Sequence, residues 1–221
     1  MTRVKICCMQ NADEVKLAVR YGASALGFVS AMPSGPGPIA EDLIAKIVPT
    51  VPAGVATFLL TSKQDAPSII EQQRRLRTSV LQLVDAVSVE TLQELHRALP
   101  GIGLVQVIHV RDERSVDEAI DVAPHVDAIL LDSGNPSLPV KVLGGTGRTH
   151  DWALSKEIVD RCGKPVFLAG GLKAENVHEA IERVRPYAVD VCSGVRTNGL
   201  LDEMKLVSFM KAVQNKGISP S

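Results

Sequence analysis

A chain of 221 residues, 45% of them hydrophobic, is long enough to bury one core and falls within the usual size of one α/β barrel. Lysine and arginine total 24 against 25 acidic residues, so the net charge is −1, and no basic run is present that would follow a nucleic-acid backbone. We therefore expect a single domain over residues 1–221, with no nucleic acid among its partners.

The cysteines predict a reducing environment. Cys7, Cys8, Cys162 and Cys192 show no Cys-x-x-Cys spacing, and a disulfide framework is unusual in a domain that builds its own core. The first residues contain no apolar signal stretch, and no apolar run approaches the roughly 20 residues that span a bilayer. We expect a soluble cytoplasmic protein that does not enter a membrane and that exists as a monomer or homodimer.

Short segments rich in Val, Ile, Leu and Ala alternate with longer segments of helical periodicity, as in repeated βα units around a parallel sheet. The predicted strands are 3–8, 25–29, 54–60, 80–84, 104–110, 128–132, 165–169 and 188–192. Amphipathic segments between and after them include 13–21, 88–99, 151–162, 174–184 and 202–213. Eight units without Gly-x-Gly-x-x-Gly after the first strand favour a single closed (β/α)8 TIM barrel over an open doubly wound sheet.

Three of the loops that follow the strands are rich in glycine. They contain the runs 144–149 (GGTGRT), 169–172 (AGGL) and 192–195 (CSGV). Glycine lets a backbone approach an anion closely, and barrels often hold phosphate after strands 7 and 8, although the same glycines also suit tight turns. We expect backbone N–H groups to bind a phosphorylated small molecule at Gly147, Gly170, Gly171, Ser193 and Gly194.

Other ligand classes are not indicated. The glycine-rich sixth loop lacks the Gly-Lys-Ser/Thr ending of a P-loop and the third glycine of a dinucleotide-binding motif. The five histidines show no metal-ligand spacing. The sequence therefore predicts neither a nucleotide cofactor nor a bound metal.

Cys7 and Asp132 form a candidate acid–base pair. They end the first and sixth predicted strands, so their side chains are expected to enter the mouth of the barrel from opposite sides. A thiolate near backbone donors is suited to act as a base, and a buried protonated carboxyl group is suited to act as an acid. Residue type alone also permits structural roles, with Cys7 as a small buried hydrophobe and Asp132 as a turn cap.

Four stretches resemble the phosphoribosylanthranilate isomerase family, and the resemblance extends from Arg3 to about Val213. They are 4–7 (VKIC), 130–132 (LLD) followed by 144–152 (GGTGRTHDW), 169–172 (AGGL) and 190–195 (DVCSGV). The first two are the more specific, because the others occur in many phosphate-binding barrels. The resemblance implies a cofactor-independent Amadori rearrangement of a phosphorylated N-linked aminosugar in tryptophan biosynthesis.

The resemblance also implies roles for individual residues. Cys7 would be the general base that removes the proton from sugar C2, and Asp132 the general acid that protonates the ring oxygen. We also expect Lys5 and Arg148 to contact the substrate. Two alternatives stay open, namely a related isomerase that accepts a different aminosugar phosphate and a non-catalytic barrel that binds a phosphorylated metabolite.

The chain departs from the family pattern on the side that holds the aromatic amine. Cys8 replaces a glycine, and Gly37 falls at the position of an arginine that pairs with the anthranilate carboxylate. Strand 4 ends in Val84-Asp85 where the family has His-Gly, and Arg196 replaces a glutamate.

These departures predict that the protein discriminates poorly between substrates that bear the anthranilate carboxylate and analogues that lack it. A glycine cannot form the bidentate pair that an arginine forms with a carboxylate. We therefore expect Gly37→Arg to improve kcat/KM, provided that the loop aims the new side chain at the substrate. The residues available to compensate in the wild-type chain are Arg148, Arg196 and His109.

Overall fold

The computed structural model describes residues 2–134, 141 and 149–215. Eight parallel strands follow one another around a closed barrel, in which β8 pairs with β1. The strands are β1 Arg3–Ile6, β2 Ala25–Val29, β3 Ala56–Thr61, β4 Val80–Leu83, β5 Gly103–His109, β6 Ala128–Asp132, β7 Val166–Leu168 and β8 Ala188–Val191. The predicted (β/α)8 TIM barrel is confirmed, and a single domain over all of 1–221 stays a prediction for the segments outside the described residues.

The strands are buried on both faces. On one face, side chains such as those of Ile6 and Leu59 pack in the shell between strands and helices. On the other face, Val105 and the rings of Phe58 and Phe167 fill the barrel interior, with the two ring centroids 5.5 Å apart in an edge-to-face arrangement. Burial on both faces explains why the strand segments are nearly continuously apolar instead of alternating with polar residues.

Eight helices surround the strands in the described part of the chain. They are α1 Ala12–Arg20, α2 Glu41–Ile47, α3 Ala66–Leu76, α4 Val89–Ala98, α5 Arg114–Val122, α6 Trp152–Arg161, α7 Val177–Val184 and α8 Glu203–Gln214. Side chains cap several of their first turns: Ser88 accepts from the Thr91 N–H, Asp151 from the Ala153 N–H and Asp202 from the Lys205 N–H. The helix α7 begins three residues later than the predicted 174–184, because residues 174–176 form a turn.

The ends of β1 and β8 differ from the prediction in a way that matters for the site. Both strands stop earlier than predicted, so that Cys7, Cys8 and Cys192 lie in the loops. Cys8 has a φ of 65°, outside the extended region that a strand requires.

A small hairpin between β8 and α8 was not predicted. Its strands are β9 Arg196–Thr197 and β10 Leu200–Leu201, joined by Asn198-Gly199 with φ values of 51° and 81°. Asn-Gly is a strong signal for a two-residue hairpin turn, because both central residues need a positive φ. Among the described residues, no helix combines the length and the apolar character that crossing a membrane requires.

Candidate functional site

The carboxyl ends of the strands surround a cavity, which we call the mouth. The lining includes residues after β1, β2, β7 and β8 together with the ends of β4 and β6. The mouth brings together five of the predicted site residues, which are Cys7, Asp132, Gly170, Gly171 and Ser193.

The other four predicted residues are Gly147, Arg148, Gly194 and Lys5. Gly147 and Arg148 lie outside the described residues, so their contact with a substrate stays a prediction. At Gly194, a Cβ would come within 2.0 Å of the Leu172 carbonyl oxygen. Glycine at this position therefore permits the loops after β7 and β8 to approach each other closely.

Lys5, the fourth of these residues, lies inside the barrel and is fully buried. Its Nζ donates to Asp190 Oδ2 at 2.7 Å and lies 5.2 Å from the centre of the Phe58 ring. Burial opposes the charge, but the Asp190 carboxylate outweighs it and the pKa of Lys5 is raised, so the side chain remains an ammonium. Direct contact with a substrate stays a prediction, and the observed geometry favours electrostatic support of Cys7.

Cys7 occupies the first position after β1, with 4% of its surface exposed. Its side chain lies over β2, where Gly27 leaves room: a Cβ on that glycine would be 2.7 Å from Cys7 Sγ. The hydrogen bond from Cys8 lowers the pKa of the Cys7 thiol, and the Lys5 ammonium adds to this effect against the opposing influence of burial. A lowered pKa increases the thiolate fraction, which is the form that acts as a base.

Asp132 ends β6 at the mouth, and its side chain is half-buried. Its Oδ1 accepts hydrogen bonds from the Ser133 N–H at 2.7 Å and from the Ser133 hydroxyl at 3.4 Å. The first of these bonds is the turn-capping contact that residue type permits. Because the carboxyl group also lines the mouth together with Cys7, its position is compatible with an acid role as well.

Cys8 and Gly37 are adapted to each other. Cys8 adopts a φ of 65°, and Gly37 in the loop after β2 has a φ of 88°. A Cβ on Gly37 would lie 2.5 Å from Cys8 Cβ and 2.8 Å from Cys8 Sγ. The two departures from the family pattern are therefore coupled, since a side chain at position 8 fills the space that a side chain at position 37 would need.

This geometry opposes the expected gain in kcat/KM from Gly37→Arg. We now expect this substitution to lower the free energy of unfolding by about 2 to 5 kcal/mol, because it combines an unfavourable positive φ with overpacking. Urea unfolding followed by circular dichroism measures the loss. The double variant Cys8→Gly/Gly37→Arg lacks the two closest contacts, those with Cys8 Cβ and Sγ, so part of the stability should return. An unchanged single variant would contradict the coupling.

Arg196, a candidate for compensating the missing arginine, is engaged elsewhere. It is buried and forms an ion pair with Glu14, with Nη2 2.9 Å from Oε2. It also donates to the backbone carbonyl oxygens of Cys7 at 3.2 Å and Cys8 at 2.5 Å. Arg196 therefore holds the backbone of the two cysteines in place, and the expectation that it contacts a substrate carboxylate is not supported.

His109, a second candidate for compensation, is not among the described residues that line the mouth. It is buried, and its Nε2 lies 3.0 Å from the Val84 carbonyl oxygen. Burial lowers its pKa, which favours the neutral imidazole. Another cation does reach this side of the barrel, because Lys141 forms an ion pair with Asp85 after β4 and its carbonyl accepts from Ser34 Oγ at 2.6 Å.

Gly170 and Gly171 line the mouth with φ values of 81° and 62°. The turn after them is closed by Asn176, whose Nδ2 donates to the Gly171 carbonyl at 3.0 Å and whose Oδ1 accepts from the Lys173 N–H at 2.8 Å. Within the ranges that the structure describes, no group of three or more His, Cys, Asp or Glu side chains has the arrangement of a metal site.

Comparison with known proteins identifies similar chains over nearly the full length. The model of a family described as N-(5′-phosphoribosyl)anthranilate (PRA) isomerase matches residues 4–212. A relative from Methanocella arvoryzae, named N-(5′-phosphoribosyl)anthranilate isomerase, is 35% identical over 215 residues, which cover 97% of this chain and 99% of the relative.

Two solved structures share the whole barrel. One is a phosphoribosyl anthranilate isomerase in complex with reduced 1-(o-carboxyphenylamino)-1-deoxyribulose 5-phosphate, with a TM-score of 0.81 and 28% identity, covering 96% of this chain and 98% of that chain. The other contains monomers generated from the dimeric enzyme of Thermotoga maritima, with a TM-score of 0.78, 28% identity and the same coverage of 96% and 98%.

Proposed function

Because the chain belongs to the N-(5′-phosphoribosyl)anthranilate isomerase family, we propose that Cys7 and Asp132 carry out its chemistry as base and acid. The protein is an aldose–ketose isomerase of tryptophan biosynthesis, and it acts on N-(5′-phosphoribosyl)anthranilate. The observation that supports the residue assignment is the mouth itself, where both side chains line one cavity with Gly170, Gly171 and Ser193.

The proposed reaction begins at the ring oxygen. Asp132 donates a proton to this oxygen, the bond from the oxygen to C1 breaks, and the nitrogen lone pair forms a C=N bond. Cys7 then removes the proton from C2, and the electrons of that C–H bond form an enol-amine. Protonation at C1 and conversion of the enol to a ketone give the 1-amino-1-deoxyketose phosphate, with no net gain or loss of electrons.

A direct measurement separates this function from its alternatives. Fresh N-(5′-phosphoribosyl)anthranilate is added to the purified protein, and its consumption is followed by fluorescence. Turnover supports the leading function, and turnover only of other aminosugar phosphates supports a related isomerase. A ligand-dependent rise in melting temperature without any turnover supports a non-catalytic binding protein.

The acid role of Asp132 has its own test. We expect Asp132→Asn to lower kcat by about 100-fold to 10,000-fold, since an amide keeps the shape but cannot donate a carboxylic proton. Steady-state kinetics with the fluorescent substrate measure both kcat and KM. A rise in KM with unchanged kcat would instead identify Asp132 as a binding residue.

We propose that the phosphate binds the backbone N–H groups at Gly147, Gly170, Gly171, Ser193 and Gly194. Support comes from the positive φ values of Gly170 and Gly171 and from Ser193, which lines the mouth beside them. We expect millimolar inorganic phosphate to raise the melting temperature, because a ligand that binds only the folded state stabilises it. Chloride at equal ionic strength is the control, and equal shifts with both salts would contradict a phosphate site.

The remaining partner assignments are also proposals. We infer a phosphorylated substrate and a monomer or homodimer, supported by the analogue complex and the dimeric relative among the similar structures. Size-exclusion chromatography with light scattering measures the oligomeric state. We further propose a cytoplasmic location, supported by the four cysteines, all of which are free thiols.

A further inference from the structure

Three thiols meet at the mouth where β1 and β8 lie side by side. Ile6 pairs with Val191 in the parallel ladder, and the Cys7 N–H donates to the Val191 carbonyl at 2.8 Å. Because neighbouring strands lie about 4.8 Å apart, the residues that follow them, Cys7 and Cys192, are adjacent. Cys8 comes next, and all three line the mouth. We call Cys7, Cys8 and Cys192 the thiol cluster.

Cys8 lies in the thiol cluster on the side of the loop after β2. Its sulfur lies 3.7 Å from the Pro36 carbonyl oxygen, and the neighbouring Cys192 and Cys7 thiols raise its pKa. Cys7 and Cys8 are each 4% exposed, whereas Cys192 is half-buried. Because all three line the mouth, a small reagent that enters this cavity reaches the cluster.

The position of Cys8 is conformationally unfavourable for a residue with a side chain. A φ of 65° places its Cβ close to its own backbone, a conformation that glycine adopts much more easily. Gly37 leaves the space that the Cys8 side chain occupies. Strained non-glycine residues concentrate at functional sites, so a thiol held here beside two others is itself a functional candidate.

We propose that the thiol cluster is a site that hydroperoxides oxidise reversibly. Cys7 is oxidised first, and the cluster ends as a disulfide between Cys8 and Cys192. This chemistry goes beyond the isomerase reaction. Only the predicted loss of isomerase activity on oxidation rests on the proposed role of Cys7 as base.

The first step is the oxidation of Cys7. Its thiolate attacks one oxygen of hydrogen peroxide, the O–O bond breaks, and an S–O bond forms as hydroxide leaves, which gives a sulfenic acid. Cys8 then attacks the Cys7 sulfur, an S–S bond forms, and the hydroxyl group leaves with the Cys8 proton as water. Overall, two thiols and one peroxide give a disulfide and two waters.

The second step transfers the disulfide from Cys7 to Cys192. Cys192 loses its proton to solvent and attacks the Cys8 sulfur. The bond between Cys8 and Cys192 forms as the bond between Cys7 and Cys8 breaks, and Cys7 leaves as a thiolate. Cys7 is the better leaving group, because the Cys8 hydrogen bond and Lys5 lower its pKa, whereas hydrogen bonds with Cys192 and Cys7 raise the pKa of Cys8.

The geometry of the chain also favours a disulfide between Cys8 and Cys192 over one between Cys7 and Cys8. Consecutive Cα atoms are about 3.8 Å apart, below the roughly 4.4 to 6.8 Å usual for a disulfide. A bond between Cys7 and Cys8 is therefore strained, whereas Cys8 and Cys192 follow neighbouring strands. The resulting Cys8–Cys192 disulfide constrains the mouth directly beside Cys7.

Peptide mapping tests this assignment without measuring turnover. The protein is treated with hydrogen peroxide, its remaining thiols are blocked with N-ethylmaleimide, and it is digested with trypsin without reduction. We expect the peptides 6–16 and 184–196 to be joined by a disulfide, with Cys7 carrying the blocking group. Activity lost on oxidation should return with dithiothreitol.

Two variants complete the experiment. In Cys8→Ala/Cys192→Ala the Cys7 sulfenic acid has no resolving thiol in the cluster, so we expect oxidation of Cys7 to sulfinic acid and a loss of activity that dithiothreitol does not reverse. Cys162→Ser is the matched control, since its thiol lies at the end of α6 beside the Lys164 carbonyl, and it should respond like the wild type.

The proposal is overturned if peroxide converts wild-type Cys7 to sulfinic acid without a cross-link, or if Cys8→Ala/Cys192→Ala recovers as fully as the wild type. A cross-link from Cys192 to Cys7 in the wild type would also refute it. Disulfide mapping is independent of whether Cys7 is the catalytic base, so an active Cys7→Ser variant would contradict the isomerase mechanism while leaving the mapped disulfide as evidence for the oxidation site.

Discussion

Cys7→Ser is expected to lower kcat for N-(5′-phosphoribosyl)anthranilate by about 100-fold to 10,000-fold, because a serine hydroxyl is a much weaker base than a thiolate. The substitution changes one buried atom and keeps the size of the side chain, so the barrel should remain folded. Fluorescence-monitored kinetics give kcat, and circular dichroism checks the fold.

The matched control for this variant is Cys162→Ser, which alters a buried thiol outside the mouth and should retain wild-type kcat. The wild-type pH profile adds a second measurement. Since the pKa of Cys7 is lowered by the Cys8 hydrogen bond and by Lys5, kcat/KM should decline with falling pH only below the ordinary pKa of a thiol. A wild-type rate in Cys7→Ser would remove Cys7 from the mechanism.

Lys5→Met is expected to lower the free energy of unfolding by about 3 to 5 kcal/mol, because it leaves the Asp190 carboxylate buried without its cation. The pair is almost completely buried, with side-chain exposures of 0% for Lys5 and 7% for Asp190. Chemical denaturation measures the loss. The control is Lys16→Met, since the Lys16–Asp13 pair has exposures of 77% and 90% and its removal should leave stability unchanged within error.

Kinetics of Lys5→Met distinguish electrostatic support of Cys7 from a purely structural role. The Lys5 ammonium lowers the pKa of Cys7, so its removal raises that pKa. The base is active when deprotonated, and activity is lost as the pH falls through its pKa. The acidic limb of kcat/KM should therefore move to higher pH, and an unmoved limb in a folded variant would show that Lys5 acts on stability alone.

The strands and the closure of the barrel could be predicted from local sequence. Apolar runs of five to seven residues separated by helical periodicity are properties of short segments, and β2 and β6 agree with their predicted bounds. The predicted acid–base pair lines the mouth for the same reason, since Cys7 and Asp132 follow or end parallel strands that all point the same way.

The sequence contains two further local signals, one for the hairpin after β8 and one for the thiol cluster. The Asn198-Gly199 pair predicts the small hairpin after β8, because a two-residue hairpin turn of this kind needs a positive φ at both central residues. Both residues have a positive φ in the structure. The second signal is the position of the cysteines, because Cys7 and Cys8 follow β1 and Cys192 follows β8, the strand that closes the barrel against β1. Pairing of the first and last strands, once assumed, would have placed these thiols together.

The type of barrel and the order of its strands could be predicted from the sequence, since these depend on hydrophobic periodicity and on glycine within short segments. Which polar groups meet depends on the tertiary structure. Lys5 and Asp190 are 185 residues apart, as Arg196 and Glu14 are 182 apart, and each pair forms because closure of the ring joins β1 to β8 in one register. The incompatibility of Gly37 with an arginine has the same origin, because the space at that position is set by Cys8 from a different loop. Contacts of this kind depend on distances of a few ångströms between distant segments, which a pattern of residue types along one chain does not contain.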